Sequence, residues 1–276
     1  MNRTSETTAP VAVDGLNTRT EGRGAPAFLF VHGYACGLED WSTMFDALSG
    51  DHLCVALDLP GHCGSASAEE PTIAAMARAT NTVKDRIRQP VILVGHSLGA
   101  KIIREAVCQS PGNVLGLVLI DGGYYGDNSE PSLVSEGERT ERIGFDAFVR
   151  RHFDLLFPAE ADPVLKHRII DRASRLEPGF GRALYLAAIE FDIARSVETL
   201  AQIPQPILNI QTSTTLSDGR RRSLGPDETT PMSDLIAQRG QDAELRVLTG
   251  CGHFPAQERP AALADELRRF AARLAD

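Results

Sequence analysis

Residues 91–103 read VILVGHSLGAKII. An apolar run leads into Gly95-His96-Ser97-Leu98-Gly99, and a segment of helical periodicity begins at once. A strand that turns into a helix within so few residues leaves little room at the crossing, and small residues at positions 95 and 99 let the two elements approach. The serine at the centre of such a G-x-S-x-G turn is held in a strained backbone conformation, with its Oγ raised above the end of a sheet. It also stands at a helix N-terminus, where negative charge is favoured. A chain built around this turn is committed to a sheet whose strands are followed by covering helices.

The rest of the chain reads the same way. Apolar runs at Ala27–Val31, Leu53–Leu59, Val91–Gly95, Gly116–Ile120, Pro206–Gln211 and Glu244–Leu248 are expected strands, and Thr72–Arg88, Ser97–Ser110 and Arg259–Leu274 are expected helices. The expected class is α/β, with a mostly parallel central sheet flanked by helices. Between Ile120 and Pro206 the alternation stops, and residues 122–203 read as consecutive helices. Nine of the sixteen aromatic residues fall there: Tyr124, Tyr125, Phe145, Phe148, Phe153, Phe157, Phe180, Tyr185 and Phe191. The expectation is a core of residues 1–121 and 204–276, with 122–203 as an inserted helical cap over the carboxyl edge of the sheet, where ligands of open α/β sheets bind.

Two further features stand where acyl-transfer chemistry needs them. Upstream, FLFVHGYACG ends a strand in His32-Gly33-Tyr34. A developing oxyanion needs backbone N–H donors, and those of Tyr34 and Leu98 are the candidates, with Gly33 letting the chain turn. His32 is expected to brace the loop. Near the C-terminus, VLTGCGHFPAQERP carries His253 on a Gly-flanked loop after the last strand. A serine nucleophile needs a neutral imidazole within reach, and a loop after a late strand can bring one across the sheet edge.

With HGY at 32–34, DLPGHCGSA at 58–66, GHSLG at 95–99, LVLID at 117–121 and GCGHFPAQERP at 250–260, the chain resembles the α/β-hydrolase fold superfamily, in its capped serine-hydrolase, esterase-like branch. The resemblance implies the α/β-hydrolase fold and a Ser–His–acid mechanism through an acyl-enzyme on Ser97. In relatives the loop matching DLPGHCGS reads DxxGxGxS; here Cys63 stands where Gly is usual, and His62 is read as structural. Ser at position 97 argues against the dehalogenase and epoxide hydrolase branches, which use a carboxylate nucleophile.

The acid departs from the pattern. Relatives place an Asp shortly after the strand matching Pro206–Gln211, where this chain reads QTSTTLS. Asp121, at the end of the preceding strand, and Asp218, inside SDGRRRSLGPDETT, both satisfy the order Ser, acid, His. Asp121 is favoured, because a strand end holds a carboxylate more rigidly than a loop tip. The run Arg220-Arg221-Arg222 is read as a solvated loop face, with a role towards an anionic substrate as the alternative.

The expected activity is hydrolysis of an ester or related acyl bond, of carboxylesterase, lactone-hydrolase or thioester-hydrolase type. C–C bond hydrolysis, acyl transfer or cyclisation on the same residues, and a ligand-binding pseudo-hydrolase, remain open. No cofactor is called for, and the HExxH and HxHxDH zinc motifs are absent. The expected partner is a small, largely apolar acyl substrate. A net charge of -9 argues against nucleic acid or an anionic membrane surface. The polar N-terminus, the want of a roughly 20-residue apolar run and five cysteines without framework spacing suggest a cytoplasmic protein.

Overall fold

A computed structural model describes residues 13, 15–67, 70–124 and 129–275, with the backbone alone at 129–134. Tyr125 lies outside the described residues. The chain runs through β1 (Thr18–Glu21), β2 (Ala27–Val31), α1 (Ser42–Leu48), β3 (Cys54–Leu57), α2 (Ile73–Lys84), β4 (Val91–His96), α3 (Leu98–Gln109) and β5 (Val114–Ile120). Five helices follow: α4 (Ser129–Ile143), α5 (Phe145–Leu155), α6 (Pro163–Ala173), α7 (Pro178–Ala194) and α8 (Ser196–Gln202). The chain then returns through β6 (Ile207–Gln211), β7 (Ser213–Thr215), β8 (Arg221–Ser223), α9 (Pro231–Arg239), β9 (Ala243–Val247), α10 (Pro255–Glu258) and α11 (Pro260–Ala275).

Seven strands form one sheet in the order β1-β3-β2-β4-β5-β6-β9, parallel except for β1, which pairs antiparallel with β3. This is the α/β architecture that the apolar runs call for. Two strand features lie beyond them. β1 reads TRTE, and an edge strand needs no continuous apolar run to find its place. β7 and β8 form a separate antiparallel hairpin out of the polar stretch read as a loop, with Thr214 opposite Arg222 and Thr215 opposite Arg221. Among the described residues, no helix is long and apolar enough to cross a membrane.

The strands separate two apolar layers. Ala27, Leu29 and Val31 of β2 face Met76, Ala77, Ile102 and Ile103 of α2 and α3, while Phe28 and Phe30 face Met44, Phe45, Leu267 and Phe270 of α1 and α11. That is the two-residue period of a strand buried on both sides. Among the described residues, the five helices between β5 and β6 share the core of the sheet: Phe148, Phe153, Leu184 and Ile189 belong to the same buried cluster as Leu98 and Ile102.

The strand order changes direction between β2 and β4. From β2 the chain moves to β3 on one side; from β4 it moves through β5 and β6 to β9 on the other. Loops leaving adjacent strands on either side of such a switch diverge and open a crevice at their carboxyl ends. The loops that leave here are His32-Gly33-Tyr34, after β2, and Ser97, after β4.

Candidate active site

The turn between β4 and α3 is tight. A Cβ on Gly95 would lie 2.4 Å from the carbonyl oxygen of Gly99, and one on Gly99 would lie 2.3 Å from that of Val31. Both glycines are therefore required by backbone approach. Ser97 between them has φ 53° and ψ −114°, outside the ordinary regions for an L-residue. Its N–H donates to the Ile120 carbonyl at 2.9 Å, which pins the turn to the end of β5.

The loop after β2 is braced from below. His32 Nε2 accepts from the Leu59 N–H at 2.9 Å, so its proton sits on Nδ1 and is donated to the Gly33 carbonyl at 2.8 Å. Burial pushes this imidazole down to about 4. His62 acts alike, with Nε2 accepting from the Ala35 N–H at 3.3 Å and burial holding it at about 3. The buried Asp58 accepts from the N–H groups of Leu38 and Gly64 and from Asn17 Nδ2, at 2.7, 3.0 and 2.7 Å. A Cβ on Gly33 would stand 3.2 Å from Ser97 Cβ, so the loop passes directly beside the serine. Tyr34 ties it to α5 and α7: its hydroxyl donates to the Gly181 carbonyl at 2.9 Å, and its ring packs on Phe153 and Tyr185. The Tyr34 N–H has no backbone acceptor among the described residues, and the Leu98 N–H, first in α3, has none within the helix.

Asp121 is fully buried and has φ 43°, which turns its carboxylate away from β5 towards the start of β7. Oδ1 accepts from the Thr212 and Ser213 N–H groups at 2.8 and 3.0 Å. Oδ2 accepts from Ser213 Oγ at 2.7 Å, Arg221 Nη1 at 2.8 Å and His253 Nδ1 at 2.6 Å. Burial by itself would raise this carboxyl; the Arg221 charge, His253 and the Thr212 amide outweigh it and hold the group well below the usual carboxylate range. With the carboxylate ionised, His253 carries its proton on Nδ1, and Nε2 keeps a lone pair.

The His253 loop is held at several points. Its carbonyl accepts from His96 Nε2 at 2.6 Å, and the N–H groups of Gly252 and Phe254 donate to Glu258 at 2.8 and 3.0 Å. Thr212 Oγ1 donates to the Gly252 carbonyl at 2.6 Å. Burial, then the Arg221 charge, push His253 down to about 3, against the raising effect of Asp121. His253 and Ser97 border one cavity of about 480 Å³, together with Tyr34, Leu98 and residues of α5, α7 and the β7–β8 hairpin.

Asp218 is brought to none of these groups. It is exposed in the β7–β8 turn, where Oδ1 accepts from the Arg220 N–H at 2.9 Å. The arginine run corrects the reading of a solvated face. Arg222 pairs with Glu228 at 2.6 Å and Arg220 with Asp154 at 3.6 Å, both at the surface, while Arg221 reaches inward to Asp121. Alternation along β8 accounts for this, since neighbouring residues of a strand point to opposite faces. Two more groups escaped the sequence reading. Lys101, one turn along α3 from Ser97, pairs with buried Asp192 of α7 and donates to the Gly123 carbonyl at 2.9 Å. His152 of α5 borders the cavity among Tyr34, Phe148, Phe153 and Tyr185.

The sequence matches the family described as "Alpha/beta hydrolase family" over residues 28–266. The chain belongs to the alpha/beta hydrolase family. Among curated relatives of this alpha/beta hydrolase is the dihydrolipoyllysine-residue acetyltransferase component of the acetoin cleaving system of Cupriavidus necator. It is 29% identical over 182 residues, covering 63% of this chain and 48% of that one. The 2-succinyl-6-hydroxy-2,4-cyclohexadiene-1-carboxylate synthase of Escherichia coli is 29% identical over 143 residues, 49% of this chain and 52% of that one. The matches thus span about half the length of these relatives. Among solved structures, a thermophilic esterase from Thermogutta terrifontis superposes with a TM-score of 0.76 at 19% identity, covering 96% of this chain and 97% of that one. At that identity the likeness concerns the fold.

Proposed function

We propose that this alpha/beta hydrolase is a serine hydrolase that cleaves an ester or related acyl bond, with Ser97 as nucleophile, His253 as base and Asp121 as the acid. Residues 122–203 serve as a cap over the cavity, whose volume suits a small acyl substrate. The observation that carries the reading is the 2.6 Å bond from His253 Nδ1 to Asp121 Oδ2. It fixes the tautomer in which Nε2 is free to take a proton, on the cavity that Ser97 also borders.

The step then runs as follows. Ser97 Oγ attacks the carbonyl carbon and its proton passes to His253 Nε2, while the carbonyl π pair moves onto oxygen. The Tyr34 and Leu98 N–H groups hold that oxyanion. Collapse breaks the bond to the leaving oxygen, which takes the proton from Nε2–H and departs. A water then repeats the sequence on the acyl-enzyme and restores Ser97. Asp121 stays ionised throughout and balances the imidazolium, as its five hydrogen bonds favour.

A second reading, acyl transfer or C–C bond chemistry on the same residues, is supported by the acetyltransferase-component and synthase names of the curated relatives. One experiment separates the readings. A fluorophosphonate is expected to label the protein and to fail on Ser97→Ala, and 4-nitrophenyl butyrate is expected to turn over with a burst. Labelling without turnover of any ester would favour the second reading. Labelling that survives in Ser97→Ala would remove both.

A further inference from the structure

We propose that the cavity over Ser97 receives an acyl substrate carrying a second, ionised carboxylate, held between Arg221 on β8 and His152 on α5. The inference rests on the hydrolase reading above and adds the charge of the substrate.

The side chains that border the cavity are unevenly charged. Lys101 and Arg221 border it; among the described residues no Asp or Glu does. The partners of these cations stand behind them, because the side chains of Asp192 and Asp121 are fully buried, whereas those of Lys101 and Arg221 keep 7% and 17% of their exposure. Each pair is formally neutral, yet of its two members only the cation borders the cavity. In a partly desolvated space the nearer charge dominates, so the wall presents a field that favours an anion.

Arg221, which borders the cavity, has unused donors. Nη1 is committed to Asp121 Oδ2 and Ser213 Oγ, at 2.8 and 2.9 Å, while Nε and Nη2 make no hydrogen bond among the described residues. A guanidinium edge of this kind matches a carboxylate. The hydroxyl-bearing residues Ser213, Thr214 and Thr215 of β7, the strand that pairs with β8, border the same cavity.

His152 supplies the opposite contact. Its ring is enclosed by Tyr34, Phe148, Phe153 and Tyr185, and its nitrogens make no hydrogen bond among the described residues. The half-buried ring therefore keeps a nitrogen donor and an acceptor free for a ligand in the cavity it borders. Burial pushes it down to about 4, with the charges of Arg139 and Arg221 adding to the effect, so the Arg221 charge is felt at this ring. A carboxylate between the two would accept from the guanidinium and from the N–H of the neutral imidazole.

The test compares 4-nitrophenyl hemiglutarate with 4-nitrophenyl hexanoate, acyl groups of similar length that differ in the terminal charge. The wild type is expected to favour the hemiglutarate by about tenfold or more in kcat/KM, mainly through KM, which is the value of one charge-assisted hydrogen bond. In His152→Leu and Arg221→Gln that ratio is expected to fall towards one, whatever happens to the absolute rates. In Ser97→Ala, which cannot turn over, monomethyl glutarate is expected to raise the melting temperature and methyl hexanoate to raise it less. Equal kcat/KM for the two esters, or a preference for hexanoate, overturns the carboxylate site while leaving a fluorophosphonate-reactive hydrolase intact. Stabilisation by monomethyl glutarate in a protein that no fluorophosphonate labels would keep the site and remove the hydrolase reading.

Discussion

Arg221 and His253 donate to the same oxygen of Asp121, at 2.8 and 2.6 Å. A guanidinium that never loses its proton thus shares a carboxylate edge with the imidazole proposed as base. The carboxylate is held ionised by more than the histidine, and the histidine feels a fixed positive charge close by. Burial and the guanidinium favour a neutral imidazole in the resting protein, against the raising effect of the carboxylate.

The acid can be assigned by exchange. Asp121→Asn is expected to lower ester turnover by about 10⁴, because the amide stabilises the wrong tautomer of His253 and cannot balance its charge. Asp218→Asn, at the exposed hairpin turn, is expected to leave kcat within about twofold. Steady-state kinetics on one neutral aryl ester checks both, and the reverse pattern would move the acid to Asp218.

Arg221→Met is expected to shift the acid limb of kcat/KM to higher pH. The sign follows from charge: removing a cation stabilises the imidazolium, raises the pKa of His253, and so reduces the neutral fraction at a given acidic pH. In the wild type the limb should lie below pH 6.5, the ordinary value for histidine. The profile is measured on a neutral ester, within the range where the far-UV signal stays native. An unmoved or lowered limb would contradict the coupling.

Five of the seven histidines should make the fold sensitive to acid. Burial pushes His32 and His152 down to about 4 and His62 and His253 to about 3, and it lowers His96. Unfolded, each would titrate near about 6.5. Below that value the unfolded chain binds more protons than the folded one, so stability is full above it and is lost as pH falls towards the folded values. Each histidine contributes at most about 1.4 kcal/mol per pH unit in that window. Melting temperatures are expected to be flat from pH 7 to 8 and to drop steeply from pH 6 downwards. A flat profile to pH 4 would mean that these rings are accessible to protons in the folded state.

Backbone geometry makes two opposite predictions. Gly95→Ala and Gly99→Ala each drive a Cβ to within 2.4 and 2.3 Å of a carbonyl oxygen, and neither protein is expected to accumulate in soluble form. Cys63→Gly should do the reverse. Cys63 has φ 44°, and relief of the left-handed penalty is expected to stabilise the protein by about 1 kcal/mol in urea unfolding. Destabilisation there would mean that the contact of its Sγ with the Cys36 carbonyl, at 3.6 Å, outweighs the strain.

Much of this molecule is written in short windows of its chain. The strands at the centre of the sheet are continuous apolar runs, because both their faces are covered. The turn around Ser97 is legible because a strand, two glycines and a helix follow one another within a dozen residues. His32 and His253 are legible as loop residues after strands. Which arginine of Arg220-Arg221-Arg222 turns inward is not legible from charge, because the alternation of β8 decides it, and β1 is not legible because TRTE carries no apolar signal.

Other relationships depend on where distant segments meet. Both Asp121 and Asp218 lie between Ser97 and His253 in the chain, so order alone does not choose between them. The meeting of Asp121 with His253, 132 residues later, follows from β5, β6 and β9 lying side by side and from the positive φ of Asp121. The β7–β8 hairpin then carries Arg221 back across 100 residues to the same carboxylate. Hydrogen bonds and charges act over a few ångströms of space whatever their separation along the chain, and only folding brings these partners within that range.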